Sequence, residues 1–184
     1  MGLKINGSTS GSIEIDVPAA VGSDVTGVLL PSAAGTLDRL ERAGNILKLE
    51  TATGGDLANI TSTSFTATNT AVSITPSAAG SKILIFGAIR VGAYDSDQTF
   101  IGSDSVSNLA IYRGTTSIKE FNVITGEFNQ VWDTVPVAYV DTPTYTLGDS
   151  ITYTIYARMG SSGDNYIYVD HSTKSEIIAL EVAA

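Results

Sequence analysis

His171 is the only histidine in the chain, and Asp170 stands beside it. A Ser–His–Asp relay needs side chains that converge, whereas neighbours on a strand face opposite ways. No GxSxG nucleophile elbow occurs, so His171 reads as a surface or packing residue next to a turn. Glu120 and Glu127 are the carboxylates that could be imagined as a glycosidase pair. They flank a predicted turn, and nothing in the spacing sets their separation. There is neither a GxGxxG nor a Walker pattern, so a nucleotide has no cradle. The chain therefore reads as a non-enzyme with no catalytic residues.

Binding chemistry has better candidates. Asp95, Asp97 and Asp104 share the stretch AYDSDQTFIGSD. Spaced carboxylates in a loop could hold Ca²⁺, a hard cation that takes oxygen ligands, although the EF-hand spacing is missing. The competing reading is a solvated loop with no cofactor. Asp141, Asp149 and Asp164 read as turn residues, because Asp bonds its own backbone in turns. Tyr94, Trp132, Tyr166 and Tyr168 could stack on sugar faces. The stretch GDNYIYVDH, 163–171, adds Asp and Asn for hydroxyl groups. Tyr166 and Tyr168 lie two apart, so they share a strand face and could equally be core.

Strands must position these residues. In 151–159, Ile151, Tyr153, Ile155, Ala157 and Met159 alternate with Thr152, Thr154, Tyr156 and Arg158. Period-two alternation rich in β-branched and aromatic residues predicts a half-buried strand. Further strands are predicted at 61–68, 71–75, 82–92, 107–113, 117–124, 130–140, 165–170 and 175–183. Gly, Pro and Asp turns separate them. That spacing predicts an all-β sandwich or barrel. Two strands are apolar on both faces. KILIFGAIRV, 82–91, sets Ile83, Ile85, Ile89 and Val91 against Leu84, Phe86 and Ala88. Near the end of the sequence Ile178, Leu180 and Val182 oppose Ile177 and Ala179. Such strands are covered on both sides, which predicts an inner sheet that also meets other subunits.

The first 50 residues differ. They hold two short apolar runs, Ile13–Val17 and Val28–Leu30, and a helix of one or two turns capped by Thr36 and stopped at Gly44-Asn45. The expected division is an attachment segment 1–50, a linker 51–59 around Gly54-Gly55, and a head 60–184. PSAAG occurs twice, at 31–35 and 76–80, each time after an apolar strand end. Both read as the same kind of turn.

Composition limits the partners. Of 184 residues, 43% are hydrophobic, and charged residues are only 16%, against about 25% in ordinary soluble domains. The net charge of −9 argues against nucleic acid and anionic membranes. The absence of cysteine rules out disulfides and thiolate sites. MGLKING has no apolar signal-peptide core.

Two blocks resemble a known family. GSTSGSIEIDVPAAVGSD…LLPSAAGTL, 7–37, resembles a segment near the N-termini of bacteriophage fibre and virion proteins. SFTATNTAVSITPSAAGSKILI, LAIYRGTTSI, AYVDTPTYTLGDSITYTIYAR and SEIIALEV, in that order, resemble phage fibre heads of the trimeric tumour necrosis factor-like, complement-like jelly-roll type. The resemblance implies an antiparallel jelly-roll head and a homotrimer with its inner sheet near the three-fold axis. It implies a place on the virion surface, reached by docking residues 1–50 on other virion proteins. No long shaft separates the two blocks, which suggests a short capsid fibre or decoration protein. The alternative is a tail-fibre or spike head that binds host surface glycans.

Overall fold

A computed structural model of the chain describes residues 3–6, 12–15, 43–55, 60–95, 107–123, 130–160, 165–169 and 175–184, with backbone course alone at 3–6, 12–15, 93–95, 107, 123, 130–132 and 165–166. The chain divides into two compact units, Met1–Asp38 and Arg39–Ala184. In the first, β1 (Leu3–Asn6) and β2 (Ser12–Ile15) form an antiparallel hairpin with Leu3 opposite Ile15. The expected run at Val28–Leu30 and the helix from Thr36 lie outside the described residues.

The second unit is a sandwich of two antiparallel sheets. Its strands are β3 (Ile46–Thr53), β4 (Thr66–Ile74), β5 (Lys82–Asp95), β6 (Ser107–Arg113), β7 (Thr116–Val123), β8 (Gln130–Asp141), β9 (Ile151–Arg158), β10 (Asn165–Val169) and β11 (Glu176–Val182). No helix occurs among the described residues. One sheet runs β3-β11-β5-β8. In it β10 lies along the far half of β5, on the edge that β11 occupies over the near half. The other sheet runs β4-β9-β6-β7.

The alternation in sequence sets which faces meet. Ile83, Ile85, Ile89 and Val91 of β5 and Ile177 and Ala179 of β11 are buried between the sheets. They pack with Val72 and Ile74 of β4, Leu109 and Ile111 of β6, and Tyr153, Ile155 and Ala157 of β9. Each of these large side chains contributes about 1.5–3 kcal/mol by leaving water. The expected alternation at 151–159 is found: every odd residue there is buried and every even one is exposed or half-buried.

Two expectations need correction. The predicted strands 61–68 and 71–75 form one element, β4, because a register shift between Ala67 and Ala71 carries the chain on without a turn. A bulge leaves ladder groups unpaired, and here a side chain takes one over: Thr68 Oγ1 donates to the Ile155 carbonyl at 2.7 Å. The division at residue 50 also shifts. β3 crosses it and pairs with β11 from Ile46 to Thr53, so the start of the supposed linker is an edge strand of the sandwich. Its half-buried Ala52 packs on the core. Gly44, at φ +86, donates its N–H to Ala183 O at 3.0 Å and leads into β3, while the helix it is expected to stop lies outside the described residues.

Candidate functional site

The register across β3, β11, β5 and β8 builds an apolar face on the side of the sheet turned away from the core. Leu49 stands opposite Leu180, Leu180 opposite Leu84, and Leu84 opposite Val140. One row further, Thr51, Ile178, Phe86 and Ala138 align in the same way. At the end of the sheet, Ile46 meets Val182. Leu84, Phe86, Ile178, Leu180 and Val182 are half-buried within the single chain. Ile46, Leu49 and Val140 are 64%, 57% and 52% exposed. Scattered surface leucines are ordinary, but contiguous apolar rows mark interaction sites.

The aromatic candidates fall on the same face by register. Tyr166 is opposite Tyr94, while Tyr168 is opposite Gly92, which in turn faces Trp132. Counting in twos along β5 from Phe86 reaches Gly92 and Tyr94, so positions 94, 132, 166 and 168 share the face of Leu84 and Phe86. Of the three acidic positions expected to hold Ca²⁺, Asp95 ends β5 opposite Asn165, and Asp97 and Asp104 lie outside the described residues. So do His171, Glu127 and Asp164.

The second sheet presents a different outward face. Tyr112 and Tyr156 stack at 3.9 Å between ring centroids, and Phe65 meets Tyr112 edge-on at 5.9 Å. The Arg158 guanidinium lies 4.7 Å over the Phe65 ring, and Nη2 reaches Glu120 at 3.8 Å. Glu120 is thus one end of a surface ion pair, a weak interaction. Its neighbours are Arg158 and rings, which suits a sheet cover better than acid–base chemistry.

Two polar clusters were not foreseen. Asp141, expected in a turn, instead closes β8 and is buried. Both its oxygens accept from Arg113 Nη1, at 2.9 and 2.8 Å, and Oδ2 accepts from the Tyr153 hydroxyl at 2.8 Å. Burial, then the hydrogen bond to Asp141 and that group's charge, push the Tyr153 hydroxyl far above its ordinary value, so it stays a neutral donor. Tyr153→Phe should cost about 1.5–3 kcal/mol, the worth of a hydrogen bond to a charged group. A thermal melt at neutral pH that matches the wild type would contradict this. Asp149, by contrast, does the turn work expected of it: Oδ2 accepts from Thr146 N at 3.1 Å, and its own N–H donates to Thr146 O at 3.0 Å.

The second cluster surrounds Glu181, fully buried on the inward side of β11. Its carboxylate accepts from the backbone N–H groups of Ser77 and Ala78 and from the hydroxyls of Ser77 and Ser81, all at 2.8–3.0 Å. Burial alone would raise its pKa, but these bonds outweigh burial and hold the carboxyl below its ordinary value. The second PSAAG is the loop that wraps this carboxylate. A charged residue at an inward position of an apolar strand was the available signal. The first PSAAG copy lies outside the described residues.

Compared with models of protein families and with curated protein sequences, the chain matches none.

Proposed function

We propose that the chain is a structural protein of a bacteriophage virion, a short capsid fibre or decoration protein, that assembles as a homotrimer through the outward face of β3, β11, β5 and β8. The observation that carries this reading is the unbroken apolar row Leu49–Leu180–Leu84–Val140. Closed symmetry is the usual way to cover such a face. The strand orders add support. Strands β3 to β9, followed by β10 and β11 as one interrupted strand, occupy eight positions in two four-position layers, as in a jelly roll. Sequence resemblance to trimeric phage fibre heads chooses three copies over two. The separate unit Met1–Asp38 suits a docking segment for other virion proteins.

Native mass spectrometry tests the assembly directly. The wild type should appear at three times its 19.1 kDa chain mass. Leu49→Lys and Val140→Lys change the most exposed members of the row, where folding has least at stake. Each removes about 1.5–3 kcal/mol of apolar burial per chain from the interface. Together they should yield monomers with an unchanged β-sheet circular dichroism spectrum. A wild type that runs as a monomer at micromolar concentration ends the proposal.

A further inference from the structure

A cavity of about 280 Å³ opens beside the turn between β6 and β7, lined by Arg113, Thr144, Tyr145, Asp149, Ser150 and Thr152 among others. Its lining shares no residue with the apolar row, and its walls are held by bonds that the sandwich supplies. Tyr153 and Arg113 both bond to the buried Asp141, which anchors the guanidinium from behind. The Arg113 bonds given by the described residues run from Nη1 alone, so Nε and Nη2 keep donor capacity. The Tyr145 ring is pinned by its hydroxyl, which accepts from Ser81 N at 2.9 Å and donates to Ala78 O at 2.5 Å. Gly114, at φ +57, tightens the opposite lip and donates its N–H to Thr152 O at 3.1 Å. The loop that carries Asp149 is closed by the two bonds between Thr146 and Asp149.

We propose that this cavity is a saccharide subsite that takes a neutral hexose unit of a glycan. A guanidinium edge, a carboxylate and several hydroxyls offer donors and acceptors side by side, the pattern that adjacent sugar hydroxyls match. The Tyr145 ring and Ile151 supply an apolar wall for a sugar's C–H face. A few placed polar groups beside an aromatic wall are the usual make-up of a ligand site. Asp149 in the wall and the net charge of −9 disfavour phosphate or sulfate. The aromatic positions 94, 132, 166 and 168 are not needed, and none of the lining residues belongs to the row proposed for assembly.

Saturation-transfer NMR on the full chain tests this, with methyl hexosides as the observed probes and inorganic phosphate and sulfate as competitors. At least one neutral hexoside should receive transfer. Arg113→Lys, which keeps the charge beside Asp141 but loses the fork, should weaken it at least tenfold. Thr144→Val and Ser150→Ala change exposed residues and should each weaken it severalfold with an unshifted melt, so the test stands even if Arg113→Lys unfolds. No transfer from any hexoside overturns the proposal. So do unchanged binding in the exposed-residue variants and displacement of the hexoside by phosphate or sulfate at a lower concentration than the hexoside's own. Native mass measured on the same samples reports assembly separately, so failure of one proposal is not failure of the other.

Discussion

Glu181→Ala is expected to cost about 3–5 kcal/mol and to loosen the 76–81 loop from the sandwich. The substitution leaves the part-buried N–H groups of Ser77 and Ala78 and the buried Ser81 hydroxyl without their acceptor, at about 1–3 kcal/mol for each group held away from water. Glu181→Gln keeps one acceptor oxygen and should cost less. The pH dependence has a definite sign. The folded carboxyl lies below its ordinary value, so its contribution is complete above the unfolded pKa of about 4.3. It is lost as pH falls from there through the folded pKa. Denaturant melts of wild type and Glu181→Gln should therefore converge on acidification. Curves that stay parallel down to the acid transition would refute the role given to this carboxylate.

Gly87→Ala should be nearly as damaging. Gly87 lies opposite Ile177, where β11 comes so close that an added Cβ would meet the Glu176 carbonyl oxygen at 2.2 Å and Ile177 Cα at 3.1 Å. Both are backbone atoms and cannot swing aside. The methyl must push β5 and β11 apart in the middle of the sheet, at about 3 kcal/mol or more. For a chain of this size that is a fall in melting temperature of about 10 °C. A variant that melts with the wild type would show that the strands separate freely here. β5 would then no longer be the rigid centre of the sheet.

The fold was legible where side chains alternate on a half-buried strand. Ile151–Met159 and Ile83–Val91 announced both their faces, because burial repeats at the strand period. Boundaries were less legible. β3 was split between two expected segments because Glu50-Thr51-Ala52-Thr53 looks like a polar linker: an edge strand needs few apolar residues. The pairing that makes it a strand comes from Ile177–Val182, far away in sequence. The Asp141 and Glu181 clusters were hidden for the same reason. Asp141 meets Arg113 and Tyr153, and Glu181 meets Ser77, Ala78 and Ser81, only after the sheets close. The aromatic positions 94, 132, 166 and 168 were grouped by residue type alone. Only the register between strands puts them on the face of Leu84 and Phe86.

The place of β11 between β3 and β5 has a consequence for biosynthesis. On the ribosome, β3 and β5 emerge long before the strand that joins them, and until then each has an edge with no partner. Long-range pairing of this kind is slow and leaves chains open to aggregation. The polar Thr51 and Thr53 and the charged Lys48 and Glu50 on β3 give that waiting strand the charged, hydrophilic character that discourages edge-to-edge sticking. Translation must deliver Glu176–Val182 before β3 can join the pair that β5 makes with β8, so the first sheet is completed late. The last gap, between β3 and β5, is filled by β11.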